Sequence, residues 1–501
     1  MYELYKPLRN YMRQFGVVPA LAHVWQYSVH LAYGGKKPSL AVDEIGRALD
    51  IRQYVFPWDL EILAQEIVLN GGTEGVRSLG DWPDFARAVN AIRDLENNIV
   101  VEQEDADLVL RGLHRIVHRQ FPWQRKQTVA SFARTWKIWS SKSLADIVER
   151  EIGLTVRQHT ELCLAINGHF TKTIGMVTTS DYASLLGISS EARDQFFDRL
   201  SYSLEELREH TVAEQHYDAD WLYSFNPLRD RPLIRFDSTN PSRVMCPLPP
   251  LLQNRISDGL YYDVCRTKDF NSAFGPAFQS YVGEVLRATL PGAHVTGEAQ
   301  YHVGKNRKDG VDWIAGDTTA TLFIECKTKR MRQSAKFLTS TDELDEELRM
   351  MAKFVVQTYK NVSDAIAGLT SWQSDGRPLY PVIVTLENWH IFTPPIADAL
   401  DRHIREGVVA AGLEETVVDS IPYTIMAVED LEIAGQIMAR TGIERFMRAK
   451  TDREHRRWTI GGFMPSTFGD ELKDVRTILF EYEWRAFGDD LRKRHEAIRR
   501  P

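Results

Sequence analysis

Three ionisable residues stand where apolar strands would be expected to keep them out. Asp312 lies in Gly310-Val-Asp-Trp-Ile-Ala-Gly316, and Glu325 and Lys327 close the run Thr319-Ala-Thr-Leu-Phe-Ile-Glu-Cys-Lys327. Side chains alternate along a strand, so Glu325 and Lys327 point one way and Cys326 the other. Two carboxylates and an ammonium then converge at one spot. Desolvating them costs several kcal/mol unless they pair with each other or with an ion. A divalent cation removes the conflict, because two hard carboxylate oxygens can bind Mg²⁺, which keeps waters and takes further ligands from a phosphate. Lys327 cannot ligate while protonated, but it can stabilise charge developing at phosphorus or orient an attacking water. That is phosphodiester chemistry. The bland alternative is an edge-strand ion pair with Asp312 in a turn, and a bare Glu-x-Lys would say no more than that.

The elements around the three residues argue for the sharper reading. Val311 to Ile314 reads as a strand, and Thr319 to Lys327 as a second, buried one rich in β-branched and apolar residues. The short Gly316-Asp317 link lets them pair as a hairpin. A helix is predicted to open near Pro276, with Phe278, Val282, Val285 and Thr289 as its buried stripe. Glu284 flanks that stripe. Val295 to Val303 alternates as a strand with Glu298 on its polar face. A long helix from about Glu343 carries the stripe Leu344, Leu348, Met351, Val355, Tyr359 and Val362 and should cover one sheet face, with Gln357 and Lys360 on its other side. Pro381 to Leu386 suits a central strand buried on both faces, and Thr424 to Val428 a further strand.

Asp312 followed by Ile324-Glu325-Cys326-Lys327 resembles the PD-(D/E)XK nuclease superfamily, with its restriction-endonuclease-like fold, over residues about 270–430. The family's Pro before the Asp is Val311 here. The resemblance implies an α/β domain with a mixed central sheet. It implies a Mg²⁺- or Mn²⁺-dependent nuclease with Asp312 and Glu325 as metal ligands and Lys327 as catalytic partner. A Glu on the first helix often joins the metal site in this superfamily, and Glu284 is the matching candidate, with Glu298 as its rival. DNA is the substrate most of the superfamily cuts, and bacterial proteins of this build often serve restriction or anti-phage defence. Structured RNA such as tRNA is the alternative substrate. A catalytically silent nucleic-acid-binding scaffold is the rival from another class, and the intact trio argues against it.

At 501 residues the chain has room for two or more domains, and its 43 % hydrophobic and 26 % charged composition is that of a soluble globular protein. The net charge of −8 means that any nucleic-acid surface must concentrate cations locally. Lys305, Arg307 and Lys308 before Asp312, and Lys329 and Arg330 after Lys327, form one such cluster. Arg111 to Lys142 holds eight Lys or Arg and no acid. There Arg115, Arg119, Arg125 and Lys126, beside Trp123, Trp136 and Trp139, could track a phosphate backbone and stack on bases. The alternative is a Trp-lined helix pair with a solvated basic face. His114 and His118 stand at i, i+4, a zinc-compatible spacing, and read as core or surface histidines for want of a third ligand nearby. Four cysteines without C-x-x-C spacing, no signal peptide and no membrane-length apolar run point to the cytoplasm. The expected organisation is an α-helical region over 1–225, a Pro-rich connector with short strands such as Pro232-Leu-Ile-Arg-Phe over 226–270, the nuclease-like domain over 271–430 and a basic helical extension over 431–501. A homodimer is compatible with it.

Overall fold

The computed structural model describes the chain except residues 1, 36–41, 43, 44, 48, 102–105, 125–128, 182–185, 500 and 501. It divides into two units, one of residues 1–104, 119–270 and 482–501 and one of residues 105–118 and 271–481.

The first unit is helical, as its 3.6-residue periodicity requires. The Pro57–Asn70 helix starts with Pro in its first turn and buries Leu60, Leu63 and Ile67. The Trp82–Val101 helix adds Phe85, Val89 and Ile92 to the same core. Thr155 caps the Val156–Phe170 helix reciprocally with Gln158, and Ser203 caps Leu204–Glu214 with Glu206, each closing two backbone donors that the first turn would otherwise leave open. The expected connector is not a connector. Its strands β3 (Leu233–Arg235) and β4 (Arg243–Met245) join β1 (Gly175–Val177) and β2 (Ser201–Ser203) in a four-stranded sheet ordered β1-β4-β3-β2. Ile234 and Met245 of that sheet lie in the helical core, so 226–270 belongs to this unit. The C-terminal extension divides likewise, residues 431–481 counting with the second unit and 482–501 with the first.

The second unit is a five-stranded mixed sheet between helices. Its strands are β5 (His294–Gly297), β8 (Trp313–Gly316), β9 (Thr321–Lys327), β10 (Leu379–Thr385) and β11 (Thr424–Ala427), in the order β11-β10-β9-β8-β5. The predicted strand over 295–303 is broken in two, because β6 (Gln300–Val303) turns away to pair with β7 (Asn306–Asp309) as a separate hairpin. β5 with β8 and β8 with β9 pair antiparallel, whereas β9, β10 and β11 are parallel. Asp317 closes the β8–β9 turn, its Oδ1 accepting the Thr319 and Ala320 N–H groups at 2.7 and 3.0 Å.

One face of the sheet carries the Thr341–Ile366 helix, whose predicted apolar stripe is buried throughout. The Pro394–Ala410 helix lies beside it, Gly407 admitting Val356, whose methyl would stand 2.8 Å from any added Cβ. The Phe270–Thr289 helix, which starts earlier than Pro276, takes the Trp313 side of β8. The Trp313 indole donates to the Gln279 carbonyl at 2.8 Å and its ring fills the space where a side chain on Gly283 would be. Gly is therefore required at 283 by close packing.

Candidate active site

Register alone brings the acids together. Gly297 pairs with Trp313, and Trp313 with Ile324, so Glu298 and Asp312, each one residue off the end of β5 and β8, are brought to the same end of the sheet as Glu325 of β9, close enough for their charges to act on it. Neighbouring strands lie roughly 4.8 Å apart, and residues on one rung share a face. β9 is buried from Thr321 through Glu325 and emerges at Cys326 and Lys327, so the row stands where the sheet meets its surface.

Within this row the Cys326 N–H donates to Asp312 Oδ2 at 2.6 Å, which fixes the carboxylate at the strand entrance. Lys327 Nζ donates to Glu325 Oε1 at 2.6 Å and lies 4.9 Å from the centre of the Phe354 ring. Glu325 is 8 % exposed, and burial pushes its carboxyl up to about 7; the Lys327 ammonium opposes that rise, and the Asp312 and Glu298 charges add to it. Burial also raises Asp312, against the pull of the Cys326 N–H and of Lys327. Partial burial and then the Asp312 charge raise Glu298, while Gln279 bonds its carboxylate. Three carboxyls face one ammonium, so the deprotonated site lacks positive charge. A hard divalent cation fits that deficit, since the Lys327 bond uses one Glu325 oxygen and leaves Oε2 able to ligate, with the Asp312 carboxylate close by.

The third carboxylate of the row is Glu298, the rival of the sequence reading. Glu284 lies one residue past Gly283, about 100° around the helix from the face that meets Trp313. Glu284 is half-buried, and Tyr281, three residues before it, donates its hydroxyl to Glu432 at 2.7 Å. Sequence reasoning gave no role to Gln279 or Phe354, which support Glu298 and Lys327 from two different helices. Their only signal was a position one turn from Gly283 and on the flank of the long helix's apolar stripe.

The predicted cationic surface is smaller than expected. Lys305 and Arg307 are exposed on the β6–β7 hairpin. Lys308 is half-buried and paired with Asp364 at 2.8 Å, and Lys329 with the buried Glu347 at 3.0 Å, so these two charges are neutralised within the fold. Arg330 is half-buried, and Lys336 first and Arg330 second hold the half-buried Glu387 below its usual range against desolvation. In the acid-free segment Arg119 is 4 % exposed and bonded to Glu96 at 3.0 Å, which removes it from any phosphate surface. Arg115 is half-buried, and Arg125 and Lys126 lie outside the described residues. The tryptophans are not stacking platforms either. Trp123 donates to Glu61 at 3.0 Å, Trp136 packs on Trp484 and Phe487, and Trp139 is buried. His114 and His118 are both buried with their rings 4.5 Å apart, and burial holds both well below the usual imidazole range, so they are neutral core residues.

Comparisons with known protein families, with curated proteins and with solved structures each find no match for this chain. The arrangement of side chains therefore carries the functional argument.

The raised Glu325 carboxyl sets a pH dependence with a definite sign. Its folded value of about 7 lies above its ordinary 4.5, so the folded chain binds the extra proton. The associated stability, on the order of 3 kcal/mol, is fully present below pH 4.5 and is lost as pH rises through about 7. In chelator, urea denaturation at pH 5.5 and pH 8 should show this loss in the native chain relative to Glu325→Gln, which cannot titrate there. Added Mn²⁺ should restore stability at pH 8 and have little effect at pH 5.5. Equal pH slopes for the two proteins would refute the burial argument.

Proposed function

We propose that this chain is a metal-dependent nuclease of the PD-(D/E)XK type, hydrolysing phosphodiester bonds, with DNA as its first-choice substrate. The observation that carries the reading is the cluster of Glu298, Asp312 and Glu325 at the strand ends with Lys327 beside Glu325, partly desolvated and short of positive charge. A purely structural ion pair needs one acid for one base, and a silent scaffold would have no use for the excess.

Asp312 and Glu325 would hold Mg²⁺ or Mn²⁺, and Glu298 would complete the carboxylate set. The ion supplies a Lewis acid for the phosphate oxygens and lowers the pKa of an attacking water. Lys327, its ammonium over the Phe354 ring and beside Glu325, is placed where it can align the water and balance charge growing on the phosphorus oxygens in line with the leaving group. Asp312, fixed by the Cys326 N–H, holds its own geometry through the reaction.

The test is to incubate the purified chain with labelled DNA and with labelled tRNA, in Mg²⁺, in Mn²⁺ and in excess chelator. Metal-dependent cutting of DNA is expected, and exclusive cutting of tRNA would move the substrate to RNA with the mechanism intact. Undiminished cutting in chelator would end the carboxylate mechanism.

A further inference from the structure

A second concave site lies on the same sheet. Residues 385–460 enclose a cavity of about 150 Å³ running along the edge strand β11, all of whose residues line it. Thr385, the last residue of β10, also lines it, and Thr385 is the ladder partner of Lys327. The cavity therefore begins one strand away from the row of acids, at the same end of β9 and β10, which is where ligands sit in open sheets with parallel strands.

Its chemistry is specific. Three aromatic side chains line it, Trp389, Tyr423 and Trp458, the last 43 % exposed. The indole N–H of Trp389 and the hydroxyl of Thr424 are buried, and neither finds a partner among the described residues. A buried donor without an acceptor calls for an explanation such as a ligand. The charges are mostly settled: Arg456 pairs with Asp401 at 2.9 Å and Arg457 with Asp398. Lys450 Nζ donates to the carbonyls of His455 and Arg456 at 3.0 and 2.9 Å. Such a lining disfavours a polyanion and favours a flat ligand carrying hydrogen-bond acceptors. A cavity on this scale holds a single six-membered ring.

We propose that the cavity receives one pyrimidine base of the nucleic-acid substrate, held by aromatic contacts and by the Trp389 N–H and Thr424 hydroxyl donating to its exocyclic carbonyl oxygens. The substrate assignment rests on the phosphodiester-cleaving reading above. A base can enter only when unpaired or turned out of a duplex, so the pocket makes the chain a reader of single-stranded or locally opened nucleic acid.

Calorimetric titration of the full chain in chelator, where nothing is cut, tests the pocket with uridine, cytidine, thymidine, adenosine and inorganic phosphate as ligands. Pyrimidine nucleosides should bind at least tenfold more tightly than adenosine. Thr424→Val, which removes a hydroxyl that has no protein partner, should weaken them about fivefold. Trp458→Ala, at an exposed position, should weaken them about tenfold. Thermal denaturation identifies a variant that fails to fold, and either variant suffices. Binding of adenosine as tight as that of the pyrimidines, binding of phosphate in their place, or no nucleoside binding at millimolar concentration would each overturn the proposal. If nucleic acid is cut with metal but no nucleoside binds, the pocket assignment alone falls. If pyrimidine nucleosides bind but neither DNA nor RNA is ever cut, the nuclease reading falls, and with it the assignment of the base to a substrate.

Discussion

Glu325→Gln is expected to lower Mg²⁺-dependent cleavage by at least about 10³-fold, a loss of roughly 4 kcal/mol of transition-state stabilisation, in a chain that stays folded. The substitution keeps the shape of the side chain and removes its charge. Gln offers a metal one weak carbonyl oxygen in place of a carboxylate, and it takes from the Lys327 ammonium the acid it is hydrogen-bonded to, leaving it the Phe354 ring and the more distant Asp312 and Glu298. Folding should not suffer, because the native carboxylate is destabilising at neutral pH in the absence of metal. Asp312→Asn should cost as much in rate. An Asn oxygen can still accept the Cys326 N–H, so this variant separates loss of charge from loss of the hydrogen bond. The third acid should rank by place in the row. Glu298→Gln is expected to cost about tenfold or more and Glu284→Gln close to nothing. Rates are to be measured on the same labelled substrate over a Mg²⁺ titration, with urea denaturation to check folding. Retention of a tenth of native activity by Glu325→Gln would remove Glu325 from the metal site. A larger loss from Glu284→Gln than from Glu298→Gln would restore the first-helix acid.

Much of the site could be seen in the sequence because it is set by short-range rules. The alternation of Ile324, Glu325, Cys326 and Lys327 and the Gly316-Asp317 link fix which side chains share a face, whatever surrounds them. The long helix over Thr341–Ile366 was legible for the same reason, its stripe repeating over many turns. Pairing between distant segments could not be read that way. Glu298 enters the row because β5 pairs with β8 and the chain then leaves the sheet at β6, a break invisible in an alternating pattern that continues unbroken from Val295 to Val303. The basic residues misled for a related reason. Composition counts Arg119 and Lys329 as positive, but Glu96 and Glu347, which cancel them, lie far along the chain or a helix away. Short strands were legible in the Pro-rich stretch, where β3 and β4 lie, but β1 and β2 were not, because three-residue strands among helices leave almost no periodicity, and nothing local showed that the four would pair as one sheet.

Lys327→Met is expected to slow cleavage about 10²- to 10³-fold while substrate affinity, measured in Ca²⁺ or in the absence of metal, changes by less than about threefold. Methionine keeps a similar unbranched side chain, and its thioether can replace the ammonium near the Phe354 ring, so the charge is lost with little change in volume. Removing a positive charge from a mere docking surface would instead weaken binding and flatten its salt dependence, with the bound complex reacting at the native rate. A second readout belongs to Lys327 alone. Its ammonium is the largest influence holding the Glu325 carboxyl down against burial, so without it that carboxyl rises further above about 7. The ascending limb of the pH–rate profile should then move to higher pH, and raising the pH or the Mn²⁺ concentration should recover part of the lost rate, because both favour the deprotonated acid. A variant that loses affinity, turns over at the native rate once bound and keeps the native pH profile would make Lys327 a phosphate anchor and leave the carboxylates without their catalytic partner.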